Sequence, residues 1–371
     1  MENDNSAKQI SNIKLSEEKL LSTQALRDLS SKIVLWGKEL GFQKLGFSDI
    51  DLGETEQQLQ AWIKQGFHGD MEWMHHHGSK RTRPNELVKN TISIISARMD
   101  YFPPDGIDPE LLLNHPEAAY ISRYALGRDY HKLLRKKLQQ LATRIQQEVG
   151  DFGYRVFVDS APVMEKPIAA KAGLGWVGKH SNILSKESGS WFFLGEIYTD
   201  LPLPISKAVT DHCGSCTACI NVCPTQAIVA PYVVDANRCI SYLTIELKGA
   251  IPEEFRRAIG NRIYGCDDCQ LTCPWNRFAD YTQQADFAIR NKLDRSHLLT
   301  LFSWTEDEFL QKLQGSPIRR IGFERWLRNI AIALGNSPKN QQILMALQEK
   351  RKIATPLVNE HIDWAIQQQI K

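Results

Sequence analysis

The chain has 371 residues, of which 42% are hydrophobic and 24% are charged, and its formal net charge is +2. This composition is ordinary for a soluble globular protein of two or three domains, and the small net charge by itself indicates no polyanionic partner. No run of 18 apolar residues is present, and the polar first 20 residues lack the pattern of a signal peptide. We therefore expect a cytoplasmic protein that spans no membrane and keeps its cysteines reduced.

Hydrophobic periodicity predicts most of the secondary structure of the first 200 residues. Residues 1–25 carry little pattern and predict a leader helix or a frayed tail. The elements predicted after them are a helix over 26–40, a strand over 44–48, a helix over 59–65, a strand over 92–99, a long amphipathic helix ending near Val149, and strands over 155–158 and 190–198. Gly41 and Gly66 stop the first two helices, as C-cap glycines do.

Three consecutive histidines, His75 to His77, follow the second predicted helix. Neighbours in sequence point in different directions on a helix, so the three side chains cannot all bind one metal ion. We interpret them as solvated residues of a loop or of a helix end.

Asp159 directly follows the strand predicted over 155–158. A carboxylate at the end of a strand is a candidate general acid or base, because α/β folds place ligands at that edge. Aspartate is also a favoured helix N-cap, and Asp159 precedes Pro162 and a predicted helix. The residues alone favour the cap.

Residues 173–178 spell Gly-Leu-Gly-Trp-Val-Gly, which is formally G-x-G-x-x-G. A dinucleotide site needs this motif between a strand and a helix, whereas the preceding residues 164–172 predict a helix. Glu196 lies near the required distance for the acidic residue, but it belongs to another predicted strand. Close approach of the backbone to a large flat ligand explains the glycines at least as well.

All eight cysteines lie between residues 213 and 273. The first half reads Cys213-x-x-Cys216-x-x-Cys219-x-x-x-Cys223-Pro224, which is the bacterial ferredoxin spacing for an iron–sulfur cluster. The second half contains an isolated Cys239 and then Cys266-x-x-Cys269-x-x-x-Cys273-Pro274. Eight thiolates supply two 4Fe–4S clusters with none left over. Structural zinc and disulfides are the alternatives, but neither explains three cysteines at a spacing of three followed by C-x-x-x-C-P.

Two-cluster ferredoxins exchange their fourth ligand between the clusters. On this rule the first cluster is bound by Cys213, Cys216, Cys219 and Cys273. The second cluster is then bound by Cys223, Cys239, Cys266 and Cys269.

The C-terminal part of the chain predicts helices again, including two over 339–349 and 355–369. Short stacked helices of this kind suggest a small α-solenoid of the HEAT type. Residues 290–352 contain 12 Lys and Arg against 6 Asp and Glu, although the whole chain has a net charge of only +2. This clustering favours contact with a phosphate backbone.

Together these residues resemble the epoxyqueuosine reductases, from about Leu29 to the C-terminus. The resemblance rests on the cysteine pattern together with motifs at residues 122–131, 159–162, 172–179, 195–197, 239–246, 264–270 and 319–329. Many ferredoxin-like modules share the cysteine pattern, whereas the combination of motifs is specific.

The resemblance implies an α+β protein of three domains. Residues 1–205 would form an α/β cobalamin-binding catalytic domain, residues 206–285 a ferredoxin-like domain with two 4Fe–4S clusters, and residues 286–371 a HEAT-like domain that binds tRNA. The substrate of the family is a modified guanosine at the tRNA wobble position, whose cyclopentane epoxide is reduced to the alkene of queuosine. Electrons would pass through the clusters to cobalamin.

The resemblance also implies roles for single residues. Asp159 matches the proton donor of the family. The residues near the corrin contacts of the family are Arg83, Ser122, Arg123, Lys179, Asn182, Leu194, Ser241 and Tyr242. The candidate tRNA phosphate contacts are Arg319, Arg320, Arg325 and Arg328.

The expected partners are a tRNA bearing epoxyqueuosine and an external low-potential electron donor, and the protein is expected to be a monomer. Two alternatives remain at this point. A corrinoid reductive dehalogenase would usually carry an export signal and has no need of a basic helical cap. A plain ferredoxin would need neither the first 200 residues nor Asp159.

Overall fold

A computed structural model describes residues 22–371 of the chain. The unpatterned N-terminal segment predicted over residues 1–25 therefore lies outside the described residues, except for its last four. Within the described range, no helix combines the length and the apolar character needed to cross a membrane.

The first part of the described chain forms a sheet and the helices around it. Its helices are α1 Thr23–Glu39, α2 Thr55–Lys64, α3 Pro84–Leu87, α4 Pro109–Leu113, α5 Tyr130–Val149 and α6 Glu165–Lys171. Its strands are β1 Lys44–Ser48, β2 Ser93–Asp100, β3 Tyr120–Ile121, β4 Tyr154–Phe157, β5 Trp176–Val177, β6 Ile183–Leu184 and β7 Phe192–Thr199. The helices and strands predicted from periodicity in this region are confirmed to within a few residues.

Four of these strands form one sheet in the order β1, β2, β7, β4. Each neighbouring pair in this sheet is antiparallel. The expectation of an α/β arrangement, in which helices connect parallel strands, is therefore wrong for this sheet. Periodicity locates a strand but does not give its direction, because the direction depends on a pairing partner that is distant in sequence.

One face of the sheet is apolar. Its side chains include Ile95, Met99 and Ile197, which pack in one core with Ile33 of α1 and Leu138 of α5. Burial of this face by two amphipathic helices stabilises the sheet through the hydrophobic effect. The helix α5 therefore has a fixed position relative to the strands, which matters because the site described below begins at its N-terminus.

The opposite face of the sheet is polar at its centre. Ser96 of β2 and Glu196 of β7 are paired in register there, and both are fully buried. Helix α6 covers this face, where its Ile168 packs with Ile94 and Tyr198. Buried polar side chains at the centre of a sheet are costly unless they have partners, and such side chains mark a candidate functional site.

The glycines of the G-x-G-x-x-G segment serve close packing of the chain against itself. A Cβ atom at Gly175 would lie 2.0 Å from the carbonyl oxygen of Leu184, and one at Gly173 would lie 2.5 Å from that of Lys207. Gly173 also has a φ of +75°. Packing within the protein accounts for Gly173 and Gly175, and the approach of this segment to a flat ligand stays a prediction. The motif follows α6 and contains β5, which confirms that the strand–helix context of a dinucleotide site is missing here.

The cysteine-rich part of the chain has short elements. They are α7 Ala218–Val222, β8 Ile228–Ala230, β9 Val233–Val234, α8 Ile240–Ile245, α9 Glu253–Ile259, β10 Arg262–Tyr264 and α10 Asp268–Leu271. Strand β10 pairs in parallel with β3 of the first part, so backbone hydrogen bonds join the two parts.

The C-terminal part is helical, as predicted. Its helices are α11 Leu298–Phe302, α12 Glu306–Lys312, α13 Gly322–Asn336, α14 Gln341–Arg351 and α15 Pro356–Ile370. Helix α13 packs against α11, α15, α9 and β10. A single core contains Ile121, Leu243, Ile263, Trp326 and Ile362, which come from all three predicted domains. The predicted boundaries at residues 205 and 285 therefore do not separate independent hydrophobic cores.

Candidate active site

The eight cysteines fall into two groups, and none of them forms a disulfide. One cavity, of about 220 Å³, is lined by four of them: Cys213, Cys216, Cys219 and Cys273. Three of these thiols come from the first half of the cysteine pattern and the fourth comes from the second half. This composition is the one that exchange of the fourth ligand predicts.

The remaining cysteines also lie near one another. Burial raises the pKa of the Cys269 thiol, and the neighbouring Cys239, Cys219 and Cys223 raise it further. Burial likewise raises the pKa of Cys239, with a smaller contribution from Cys223. Burial, Asp268 and Cys269 also raise the pKa of Cys266. Because charges influence one another strongly only at short range, these effects place Cys223, Cys239, Cys266 and Cys269 together. The influence of Cys219 places this second group beside the first.

A buried carboxylate joins the cysteine-rich part to the first part of the chain. Asp267, between Cys266 and Cys269, is 1% exposed. It accepts hydrogen bonds from Tyr120 Oη (2.8 Å), Ser122 Oγ (2.6 Å) and the backbone N–H of Arg123 (2.8 Å). Ser122 thus faces the cysteine-rich part through its hydroxyl.

Asp159 lies in a polar network at the start of α5. Its Oδ1 lies 2.8 Å from His131 Nε2, and its Oδ2 accepts a hydrogen bond from the Tyr130 hydroxyl. His131 Nδ1 lies 2.6 Å from Asp129 Oδ1, and Asp129 caps α5 by accepting from the backbone N–H of His131. The capping interpretation of Asp159 is wrong, because α6 begins after Met164 and Asp159 caps no described helix.

Proton affinities in this network are shifted in opposite directions. Burial disfavours the charged form of His131, but hydrogen bonds to Asp129 and Asp159 outweigh it and raise the pKa of His131 to about 9. Burial also opposes ionisation of Asp159, yet the hydrogen bonds and charge of His131 and the bond from Tyr130 hold the pKa of Asp159 below its usual value. At neutral pH the pair is therefore an imidazolium and a carboxylate.

Two protonated carboxyl groups lie in the electrostatic field of Asp159. Burial and then the charge of Asp159 raise the pKa of Glu165 to about 8. Burial, followed by the charges of Glu165 and Asp159, raises the pKa of Glu196 well above its usual value. At neutral pH, Asp159 is therefore ionised, whereas Glu165 and Glu196 keep their protons.

A row of tyrosines leads from Asp159 to the cysteine-rich part. The ring of Tyr130 lies 6.4 Å from that of Tyr124, which lies 6.1 Å from that of Tyr264. The Tyr124 hydroxyl donates to the Tyr264 hydroxyl at 3.2 Å. Tyr264 lies two residues before Cys266, so this row of tyrosine rings connects Asp159 with the second cysteine group.

The structure separates several residues that were predicted to contact a corrin ring. Arg83 is half exposed and forms ion pairs with Glu56 and Glu86. The ammonium of Lys179 donates to the carbonyl oxygens of Gly214 (2.6 Å) and Cys216 (2.9 Å). Lys179 therefore holds the first cysteine loop in place.

The other predicted contacts lie closer to the sheet and to α8. Asn182 Oδ1 accepts from Lys166, the neighbour of Glu165, at 3.0 Å. Leu194 is buried in β7 against α6. Ser241 is half-buried in α8, and the adjacent Tyr242 accepts a hydrogen bond from the backbone N–H of Asp70 at 2.7 Å.

Buried polar atoms without partners provide a test of whether this region suits cobalamin, whose corrin ring carries amide side chains. Nε and Nη1 of Arg123, Nε2 of His180 and both carboxyl oxygens of Glu196 are buried without a hydrogen-bond partner among the described residues. Such atoms call for a missing partner, and amides can both donate and accept. His180 and Glu196 lie near Lys166 and Glu165 of α6, respectively, so the donor and acceptor on this side of the sheet fit a cofactor of this kind.

The four arginines predicted to contact tRNA have different environments. Arg319 is exposed. Arg320 contacts Asp129 and lies 2.8 Å from His131 Nδ1, so it belongs to the Asp159 network. Arg325 is half-buried and donates to the carbonyl oxygen of Ile245 at 2.9 Å.

Arg328 is fully buried. Its guanidinium donates to the carbonyl oxygens of Leu243 (2.8 Å), Leu247 (2.8 Å) and Gly249 (2.7 Å). The prediction that Arg328 contacts phosphate is wrong for this structure. Its side chain is buried from solvent, and its N–H groups already donate to backbone carbonyl oxygens.

Sequence reasoning gave no role to His131, Tyr130 or Glu165. The signal for His131 was present in Asp129-x-His131, since a capping aspartate and the imidazole two residues later can pair. Glu165 gave no signal, because its raised pKa depends on burial beside Asp159 in the folded chain.

Comparison with known proteins gives matches over nearly the whole chain. The family model described as "Epoxyqueuosine reductase QueG, DUF1730" matches residues 81–160, and the one described as "4Fe-4S double cluster binding domain" matches residues 212–276. The epoxyqueuosine reductase of Pseudomonas aeruginosa is 58% identical over 339 residues, which are 91% of this chain and 94% of that protein. The Escherichia coli protein of the same name is 57% identical over 346 residues, or 93% and 91%.

Solved structures agree. A crystal structure of epoxyqueuosine reductase with an epoxyqueuosine-modified tRNA stem loop has a TM-score of 0.85 at 29% identity, covering 93% of this chain and 91% of that one. The Streptococcus thermophilus enzyme has a TM-score of 0.84 at 29% identity, with coverages of 92% and 90%. A reductive dehalogenase reaches only 0.41 at 16% identity, covering 81% of this chain and 38% of that one, which is too remote to support the alternative function.

The two cysteine groups and the proton-storing network beside them define an iron–sulfur oxidoreductase. Its class is an enzyme that joins a double-cluster module to a separate catalytic site. The relatives are more than 55% identical to this chain over almost the full length of both proteins. The chain belongs to the epoxyqueuosine reductase family.

The first prediction concerns the ion pair of His131. A raised pKa means that the charged imidazole stabilises the fold fully below its unfolded pKa of about 6.5, and that this contribution is lost as the pH rises through about 9. The variant His131→Gln should therefore cost roughly 2–3 kcal/mol more at pH 6 than above pH 9.5. Thermal unfolding of both proteins across this range measures the difference, with exposed His77→Gln as the control. A difference that does not change with pH would contradict the ion pair.

Proposed function

We propose that this protein reduces the epoxide of epoxyqueuosine in tRNA to the alkene of queuosine. The observation that carries the proposal is the ionised Asp159, held between His131 and Tyr130, in a chain 58% identical to an epoxyqueuosine reductase. The reaction takes up two electrons and two protons, and the epoxide oxygen leaves as water. The residues of the site account for the protons and the cysteine groups account for the electrons.

Asp159 acts as the general acid in this proposal. An epoxide oxygen is a poor leaving group until it is protonated, so the reaction needs a positioned acid. The proton of the Asp159–His131 pair resides on His131 in the free protein, because the pKa of His131 is raised to about 9 and that of Asp159 is lowered. His131 is a positioning residue that returns this proton to Asp159 as charge develops on the substrate oxygen.

Glu165 is the candidate source of the second proton. Its pKa of about 8 keeps it protonated at neutral pH, and its carboxyl group interacts electrostatically with that of Asp159. Removal of the proton from His131 would leave Glu165 as the next acid in the site. Two proton donors of different strength match a reaction that consumes two protons.

The electrons enter through the two cysteine groups. Cys213, Cys216, Cys219 and Cys273 would bind one 4Fe–4S cluster, and Cys223, Cys239, Cys266 and Cys269 would bind the other. Cys216 is the exposed member of the eight, so an external low-potential donor would reduce the first cluster. The second cluster then lies on the side of Tyr264 and the Asp159 network.

Cobalamin, when bound, would supply a cobalt centre for the carbon–oxygen reduction, which amino-acid side chains cannot perform. Arg123 is a proposed contact, since its Nε and Nη1 are buried without a partner in the described chain. Ser122, Asn182, Leu194, Ser241 and Tyr242 remain proposed contacts. Arg83 and Lys179 are engaged elsewhere and would act on the surrounding loops.

The tRNA would bind across the boundary between the helical C-terminal part and the first part. Exposed Arg319 offers a phosphate contact, and Arg320 connects the same surface to Asp129 and His131. A modified wobble base must leave its loop to reach a buried site, and flanking phosphate contacts hold the stem while it does so. Arg325 would support this surface from beneath.

The cluster assignment predicts a shared phenotype for distant cysteines. Wild-type protein should contain about eight irons per chain. Cys223→Ala and Cys239→Ala should each remove the same cluster, so the double variant should lose no more iron than either single variant. Iron analysis and electron paramagnetic resonance of the reduced proteins measure this, and Cys216→Ala serves as a control that removes the other cluster. Additive losses in the double variant would contradict crossed ligation.

The role of Asp159 is tested by Asp159→Asn. Asparagine keeps the shape of the side chain but cannot donate a carboxylic proton, so single-turnover conversion of an epoxyqueuosine stem loop should slow by about 10²–10⁴-fold. Iron content and stem-loop affinity should not change. Asp151→Asn, at an exposed aspartate after α5, is the matched control. Normal turnover by the Asp159→Asn variant would remove Asp159 from the mechanism.

Arg319 and Arg328 should behave oppositely when changed to alanine. Arg319→Ala should weaken stem-loop binding and reduce the slope of log affinity against log salt by about 0.7–0.9, which corresponds to one lost phosphate contact. Arg328→Ala should leave three buried carbonyl oxygens unpaired and cost about 3 kcal/mol of stability. Binding titrations at several salt concentrations and thermal unfolding separate the effects. An unchanged slope for Arg319→Ala would show that Arg319 contacts no phosphate.

A further inference from the structure

A segment outside the catalytic network gathers metal-binding side chains. This histidine loop, residues 66–78, follows α2 and ends at a 3-10 helix, Gly78–Arg81. It is fixed at its start, because the carbonyl oxygen of Phe67 accepts from the backbone N–H of Ala236 at 2.8 Å, and that of Gly66 accepts from Asn237 at 2.9 Å. The loop therefore rests on the residues that immediately precede Cys239.

Three side chains of the histidine loop converge. His68, Glu72 and His75 each offer one ligand atom, and these atoms lie within 4.8 Å of one another. Glu72 begins a 3-10 helix, Glu72–Met74, and His75 ends it. Residues three apart eclipse on a 3-10 helix, so Glu72 and His75 face the same side, where their side chains are in contact. The ring of His68 meets that of His75 edge-on, with centroids 5.7 Å apart.

The polar atoms of this group are incompletely satisfied. Nδ1 of His68 is buried and has no hydrogen-bond partner among residues 22–371. A buried polar atom without a partner calls for an explanation, and an ion is one of those available. The backbone beside it is held independently, because Arg81 donates to the carbonyl oxygens of Trp73 (2.9 Å) and Met74 (3.1 Å). The backbone that carries the three side chains is thus held in place by other contacts.

We propose that His68, Glu72 and His75 bind one zinc ion. Two imidazoles and one carboxylate form a common three-residue zinc set, in which water takes the fourth position of a tetrahedron. Magnesium and calcium prefer oxygen ligands alone, so two histidines select against them. Glu72 and His75 are partly exposed, which leaves room for that water.

Zinc at this position would join the end of α2 to the 3-10 helices of the histidine loop. The same loop supports Tyr242, since the backbone N–H of Asp70 donates to its hydroxyl and a Cβ atom at Gly69 would lie 2.4 Å from it. The ion would therefore fix the backbone that donates to the Tyr242 hydroxyl. The ion would stabilise this segment, and it is separate from the cysteine ligands.

Equilibrium dialysis of the anaerobic, cluster-loaded protein against zinc tests the proposal, with zinc and iron measured in the same sample. Wild-type protein should retain one zinc per chain in addition to its iron. His68→Ala, His75→Ala and Glu72→Gln should each weaken zinc binding tenfold or more, because loss of a direct ligand exceeds the ~10–100-fold effect of supporting residues. Iron content should be unchanged in all three variants.

His77→Ala is the matched control, since this exposed histidine lies two residues from His75 but outside the group. It should bind zinc as the wild type does. Absence of bound zinc in the wild-type protein would overturn the proposal, and so would equal losses in His77→Ala and His75→Ala. Zinc uptake accompanied by loss of iron would place the metal at the cysteines and would also overturn it.

Discussion

The buried carboxylate of Asp267 is the contact on which the arrangement of this protein depends. It lies between two cysteines of the second group and accepts hydrogen bonds from Tyr120, Ser122 and the backbone of Arg123. A buried carboxylate without these donors would be strongly unfavourable, so the segment 120–123 and the cysteine-rich part must come together in one geometry. The neighbouring pairing of β3 with β10 reinforces the same junction.

This junction brings chemistry from three parts of the chain to one place. The tyrosine row from Tyr130 to Tyr264 connects the Asp159 network with the second cysteine group. Arg320 reaches the same network from the C-terminal part and contacts Asp129. Tyr264 belongs to the core shared by all three parts, Tyr130 belongs to the core beneath the sheet, and Tyr124 packs against both. The Asp159 network, the second cysteine group and Arg320 are therefore parts of one connected structure.

Prediction from the sequence succeeded where local pattern decides the outcome and failed where distant contacts decide it. The strand at 44–48 and the helix at 356–370 follow from periodicity, and the division of the cysteines follows from their spacing. The antiparallel sheet, the engagement of Lys179 with the first cysteine loop and the burial of Arg328 do not, because each depends on a partner far along the chain. An arginine in a basic segment looks the same in sequence whether it faces solvent or backbone carbonyls.

The sequence by itself determined the family, the two-cluster pattern and Asp159 as the residue to examine. Only the tertiary structure decided the protonation of the site, because the pKa values of His131 and Glu165 depend on burial and on Asp159 in space. It likewise decided that His68, Glu72 and His75 converge while His77 does not. Spacing along a chain fixes which side chains are available, whereas proton affinity and metal affinity depend on distances and solvent exclusion that exist only after folding.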